Sequence, residues 1–235
     1  MKNKEIEYDF CVIITTFNRE KMLKNLLNDI FNNKKYKILI TIFDDGSSTP
    51  YDLSDYDVKY IKYVKNNGLQ KLWKVIDDTF KYCKNIKSKY YIYLQDDLRL
   101  KENFFDRSVE IFESISDEKK VSLATLIIDS QRGQPKWTGV NPVEFNEYYK
   151  SQWCELIFLC GYKFFESLEF KMIPIDTNRW EKNPNLSSGV GEQISKRLVS
   201  LGYNMYQVKN TLTTHGDHES KLLPELRKNE KLIVK

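Results

Sequence analysis

Phe10-Cys11-Val12-Ile13-Ile14-Thr15-Thr16-Phe17-Asn18-Arg19 begins with a nearly continuous apolar run and ends on polar residues. From Phe10 to Thr15 the run predicts a strand covered on both faces, because a strand with one wet face would alternate apolar and polar side chains. The period then changes. Met22, Leu23, Leu26, Leu27, Ile30 and Phe31 recur at helical spacing, with Asn18 a suitable N-cap before them.

Working outward, Ile38 to Phe43 makes a second buried strand, Val58 to Val64 alternates as a third, and Leu69, Leu72, Val75, Ile76, Phe80 and Cys83 mark a second helix. Tyr90 to Leu94 gives a fourth strand, Phe104 to Ile115 an amphipathic helix and Val121 to Ile128 a fifth strand. This alternation predicts an α/β fold, a mostly parallel central sheet flanked by helices. The second half is less regular. Residues 129–152, with Gly133, Pro135, Gly139 and Pro142, read as a long excursion from the sheet. Trp153 to Gly161 reads as a buried strand and Ile173 to Ser188 as a loop. A helix carrying Val190, Ile194, Leu198 and Leu201 is stopped by Gly202, and Met205 to Thr213 returns as an extended segment before a charged tail from Ser220.

A chain of 235 residues fits one domain of this type, of about 250 residues or fewer, and residues 1–235 are expected to form one. No window approaches the roughly 18 uninterrupted apolar residues of a membrane span, and the charged Met1-Lys2-Asn3-Lys4-Glu5 leads into no signal-peptide stretch, so a soluble, cytoplasmic protein is expected. Cys11, Cys83, Cys154 and Cys160 are scattered, which argues against disulfides and a cysteine zinc site. The net charge of +4, from 37 basic and 33 acidic residues without a long basic run, permits a polyanionic partner without implying one.

Open α/β sheets bind ligands beyond the carboxyl ends of their strands. Polar clusters fall there four times: Thr15-Thr16-Phe17-Asn18-Arg19, Asp44-Asp45-Gly46-Ser47-Ser48, Asn66-Asn67-Gly68 and Gln95-Asp96-Asp97. Turn chemistry accounts for Gly46, Gly68 and several of the Asn and Ser residues. Adjacent carboxylates on one rim repel each other, and a bound cation or a ligand rich in donors is the expected compensation.

These four segments, in this order and spacing, resemble the successive nucleotide-sugar motifs of family 2 and related GT-A glycosyltransferases, well over the first half of the chain and more thinly over the second. The resemblance implies a GT-A, Rossmann-like fold in which about residues 1–128 bind a nucleotide-sugar donor and about 129–235 supply acceptor and catalytic groups. It puts Thr15, Phe17, Arg19, Asp44 and Asp45 around the nucleoside, with Asp45 facing the base. Asn67, Gly68 and Lys71 approach the donor, and Lys71 becomes a candidate diphosphate contact. Gln95-Asp96-Asp97 stands for the family's Asp-x-Asp element, with Asp97 the direct ligand of a Mn²⁺ or Mg²⁺ ion bridging the donor diphosphate; Gln95 replaces the first aspartate. Gly189 to Arg197 resembles the helix-opening Glu-Asp motif whose carboxylate is the general base of inverting members. Here it reads Glu192-Gln193, so either Glu192 is the base or the match is displaced by one residue. Thr213 to His218 resembles the C-terminal histidine segment that joins metal or diphosphate, and His215 is preferred to His218 because it directly follows the extended segment.

What the resemblance implies is therefore metal-dependent transfer of a sugar from a uridine diphosphate donor to a hydroxyl acceptor. A saccharide is the default acceptor, with a hydroxylated base of modified viral DNA as the alternative. Trp137, Trp153 and Trp180 lie in the half that shapes acceptor specificity and could stack on sugars or bases, or simply pack in the core. A polymerase palm would also pair carboxylates against a nucleotide, but the even spread of Lys and Glu offers no template channel. P-loop and dinucleotide-binding signatures are missing. A non-catalytic nucleotide- or sugar-binding module is the rival from another class, kept open by Gln95 and Gln193.

Overall fold

A computed structural model describes residues 6–33, 35–125 and 143–215. The first half runs β1 (Tyr8–Thr16), α1 (Glu20–Phe31), β2 (Ile38–Asp44), β3 (Lys59–Lys62), α2 (Gly68–Cys83), β4 (Ser88–Gln95), β5 (Leu98–Leu100), α3 (Phe104–Ser114) and β6 (Lys120–Ala124). The rest runs β7 (Val143–Glu144), β8 (Tyr148–Ser151), β9 (Phe158–Cys160), α4 (Tyr162–Ser167), α5 (Asn178–Lys182), α6 (Val190–Ser200), β10 (Asn204–Val208) and β11 (Thr213–His215).

Nine of these strands form one sheet in the order β3-β2-β1-β4-β9-β6-β10-β8-β7, and β5 pairs separately with β11. β1, β2, β3 and β4 are mutually parallel, while β9 lies antiparallel between β4 and β6, so β6 and its parallel neighbour β10 point the same way as β1. The fold is α/β with a mixed, mostly parallel sheet, as the alternation predicts.

The apolar run of β1 is double-sided for the expected reason. Side chains alternate along a strand, and Phe10, Val12 and Ile14 meet Leu23, Leu26, Leu27 and Ile30 of α1 and Phe104 and Phe105 of α3. Cys11 and Ile13 turn the other way, onto Val75, Ile76 and Phe80 of α2, Phe164 and Phe165 of α4 and Ile194 and Leu198 of α6. Each large apolar side chain so buried contributes about 1.5–3 kcal/mol. The four cysteines are buried and unbridged, as expected.

Several boundaries depart from the sequence expectations. Asn18 does not cap α1; its backbone is left-handed (φ 54°), Arg19 holds the cap position, and the Asn18 side chain accepts from Ser48 N at 2.8 Å. Asn tolerates that conformation better than most residues. The third strand is shorter than Val58 to Val64, and Val64 is fully exposed. Only Phe158–Cys160 of the run from Trp153 to Gly161 is a strand, and α5 interrupts the loop from Ile173 to Ser188. The predicted excursion is in part sheet: β8 pairs with β10 and β7 with β8. Its residues 129–142, with Trp137, the end of the fifth predicted strand and everything after His215, including His218, lie outside the described residues. Among the described residues no helix is long and apolar enough to cross a membrane.

Candidate active site

At the carboxyl ends of β1, β2 and β4 the loops continue the sheet for one more step. Asp45 N donates to Thr16 O at 2.9 Å and Asp96 N to Thr15 O at 3.2 Å. The rim residues are thus held by main-chain bonds before any side chain acts. They line an open cleft, with Thr15, Phe17, Arg19, Asp45, Gln95 and Asp96 at its polar end. Leu69, Leu72, Val75 and Ile76 of α2, with Tyr93 and Leu156, make its apolar wall.

Asp96 is almost fully buried and accepts from Thr16 Oγ1 (2.8 Å), Phe17 N (3.3 Å) and Arg19 Nη1 (3.0 Å). The same Arg19 Nη1 donates to Asp97 Oδ2 at 3.0 Å. Burial pushes the Asp96 carboxyl up to about 6, the Arg19 charge opposing and the Asp97 charge adding to the shift. The carboxylate pair thus already has one cation from its own chain. Arg19 Nε is buried with no hydrogen-bond partner among the described residues, leaving a donor unused at the cleft wall.

Asp45 is held differently. Asn66 Nδ2 (3.0 Å) and Gly68 N (3.3 Å) donate to Oδ2, and Asn67 N (3.0 Å) and Nδ2 (2.7 Å) to Oδ1. A carboxylate has about four acceptor positions, so a base N–H meeting Asp45 would have to displace one of these donors. Burial raises the Asp45 carboxyl and these bonds oppose the rise. Asp44 faces away from the cleft: Ser47 N (2.8 Å), Ser47 Oγ (2.6 Å) and the Tyr60 hydroxyl close it into the turn. Its part is to shape the loop. Tyr51, which the sequence reading passed over, ties the first two loops together. Its hydroxyl accepts from Arg19 N (2.8 Å) and bonds Ser47 Oγ (2.7 Å) and Thr16 Oγ1 (3.2 Å).

A model of glycosyl transferase family 2 matches residues 11–165, from β1 through α4. The chain belongs to that family. Its match takes in Thr15, Phe17, Arg19, Asp45, Gln95, Asp96 and Asp97 and ends before α6. Two solved structures share the GT-A fold: residues 1–349 of S. aureus TarS, at 12% identity and TM-score 0.60 over 88% of this chain, and the mannosyltransferase PcManGT from Pyrobaculum calidifontis in complex with GDP-Man and Mn²⁺, at 9% identity and TM-score 0.56 over 95% of it. The family 2 chain covers 60% and 64% of those two chains. No curated protein sequence matches it.

The other expected site residues in the family 2 chain are distributed unevenly. Asn67 holds Asp45 at the head of α2, and Lys71, one turn further on, is exposed and outside the cleft lining. β11 pairs with β5 in a register that sets His215 opposite Leu98, next to Asp97. His215 Nδ1 is buried, has no hydrogen-bond partner among the described residues, and stands 3.8 Å from Asp97 Oδ1. A buried imidazole nitrogen aimed at a carboxylate oxygen beyond hydrogen-bond reach suits a shared cation. No group of three or more His, Cys, Asp or Glu among the described residues is arranged to hold a metal. Two protein ligands are nonetheless compatible with Mg²⁺ or Mn²⁺, which commonly fill their shell from substrate phosphates and water.

Glu192 opens α6 but does not line the cleft; Lys196 Nζ lies 2.6 Å and Arg179 Nη2 3.8 Å from its carboxylate. The Gln193 side-chain amide accepts from Ile173 N at 2.9 Å and donates to Ile173 O at 2.7 Å. Trp180 is buried and its indole donates to Leu186 O, which is core packing. Glu155 is the acidic residue that the reading of Trp153 to Gly161 as a buried strand left without a role. It is partly buried beside the cleft residue Leu156 and accepts from Trp153 Nε1 at 2.5 Å. Burial pushes its carboxyl up to about 7, with the Trp153 bond and His215 opposing. An acidic residue inside Trp153-Cys154-Glu155-Leu156-Ile157-Phe158 was the available signal.

Proposed function

We propose that the chain is a metal-dependent glycosyltransferase that moves a sugar from a nucleoside diphosphate donor, a uridine diphosphate sugar first, to the hydroxyl of a saccharide acceptor. The observation that carries this reading is the convergence of Thr15, Thr16, Phe17, Arg19, Asp45, Gln95 and Asp96 on one cleft in a chain of glycosyl transferase family 2. The nucleoside fits between the β1 loop, Asp45 and the first turn of α2, where polar rim and apolar wall meet. Arg19, with a spare buried Nε–H, serves the diphosphate, since a guanidinium donates in a planar fork suited to phosphate. Asp97 and His215 would hold the divalent ion, which when bound neutralises charge on the leaving diphosphate. The acceptor hydroxyl must lose its proton as its bond to the sugar forms, and a carboxylate on the rim is the group to take it.

A thermal-shift screen of uridine, guanosine and other nucleotide sugars, each with and without Mn²⁺ or Mg²⁺, tests donor class and metal use together. A ligand at 100 times its dissociation constant stabilises by roughly 2.7 kcal/mol. Stabilisation by uridine diphosphate sugars that needs the ion is expected. Stabilisation by guanosine donors alone would overturn the uridine assignment, and the absence of any nucleotide-sugar effect would overturn the donor site.

A further inference from the structure

We infer that Glu155 is the carboxylate that accepts the proton of the incoming hydroxyl, a role within the transfer reaction proposed above and resting on it. β9 pairs with β4 antiparallel, with Tyr93 opposite Phe158, Ile92 opposite Leu159 and Tyr91 opposite Cys160. Phe158 thus opens β9 towards the carboxyl end of β4, where the cleft lies, and Glu155 is three residues before it. The neighbour Leu156 is already part of the cleft wall.

The segment is held on two sides. Cys154 N donates to Ser195 Oγ at 2.8 Å, and Ser195 Oγ donates to Gly191 O at 2.6 Å, which fastens residues 153–155 to the first turns of α6. A Cβ on Gly191 would stand 3.0 Å from Cys154 O and 3.3 Å from the Trp153 ring, so helix and segment are in close contact. The Trp153 indole donates to Glu155 Oε1 at 2.5 Å and fixes the carboxyl group. Among the described residues no lysine or arginine acts on it. Glu192 differs in its surroundings: its side chain is 34% exposed and two cations engage it.

In the transfer step the acceptor oxygen forms its bond to the anomeric carbon while the bond from that carbon to the diphosphate oxygen breaks. The electron pair leaves with the diphosphate and the hydroxyl proton passes to the Glu155 carboxylate. Water can replace the acceptor, giving free sugar and nucleoside diphosphate with the same proton balance.

Diphosphate release from a nucleotide sugar in water, with Mn²⁺ present, therefore tests the role without a known acceptor. Glu155→Gln keeps an oxygen to accept from Trp153, so a merely structural Glu155 would leave turnover intact. The expected result is a kcat at least about 100-fold below wild type, with donor KM and thermal stabilisation by donor unchanged, and partial recovery of kcat in Glu155→Asp. Wild-type turnover in Glu155→Gln overturns the inference alone, as does a loss confined to Glu192→Gln. Absence of diphosphate release in the wild type, with water and with saccharide acceptors alike, removes the transfer reading and this inference with it.

Discussion

Arg19 Nη1 lies 3.0 Å from carboxylate oxygens of both Asp96 and Asp97, so the rim is neutralised in part before any ligand arrives. The sequence reading expected a bound cation or ligand for that task. One arginine serves two carboxylates here, and Asp97 Oδ1 faces His215 Nδ1 at 3.8 Å. Asp97→Asn keeps the shape of the side chain and its contact distance to Arg19 while removing the charge that a hard cation requires. The expected outcome is that this variant folds with wild-type stability in chelator but loses the Mn²⁺-dependent part of donor stabilisation, a drop in affinity of at least about tenfold, in line with the 10- to 100-fold that lesser changes around metal sites cost. Titration calorimetry of the donor with and without chelator reads this. Equal, metal-responsive binding in Asp97→Asn would remove it from the ion site.

The loops after β2 and β3 act as one clasp. Asp45 accepts four hydrogen bonds from Asn66, Asn67 and Gly68, and Gly46 packs against the backbone of Lys65 and Asn66. Gly46 has φ +78°, and a Cβ there would stand 2.3 Å from Lys65 C. Gly46→Ala therefore meets both an unfavourable dihedral and a main-chain clash, and should cost about 1–3 kcal/mol and weaken donor binding as the clasp opens. Urea unfolding and the donor thermal shift measure the two effects; an alanine variant with wild-type values in both would show that the clasp is dispensable. Such elements were legible in proportion to their pattern. β1, β2, α1, α2 and α3 carry strong periods and sit close to their expected bounds. β8 gains its place by pairing with β10, a partner far along the chain, and β7 by pairing with β8, and no local period announces that. The site was legible where turn residues follow buried strands, at Thr15–Arg19, Asp44–Ser48 and Gln95–Asp97. It was illegible where a residue acts through tertiary contact, as Tyr51 does between two loops and Glu155 does beside α6.

At the scale of the whole molecule, the co-directional strands bring several carboxylates to one rim, and folding burdens them. Asp96 and Glu155 are raised by burial to about 6 and about 7, so the folded chain binds more protons than the unfolded chain between the ordinary carboxylate range near 4 and those values. Stability contributed by these groups is therefore largest on the acid side and is lost as pH rises toward 7. Glu155→Gln removes one of the two, so relative to wild type it should gain stability between pH 5 and pH 8, by on the order of 1–3 kcal/mol in chelator. Urea midpoints at the two pH values check the sign; parallel curves for the two proteins would contradict it. The same gathering of strand ends makes the cleft that the proposed transfer uses. The most direct measurement is whether the purified chain, given a nucleotide sugar and Mn²⁺, releases nucleoside diphosphate at a rate that chelation abolishes. Metal-dependent release is the predicted result, whereas tight donor binding with no release, with water or with any saccharide acceptor, would contradict it and leave a binding module.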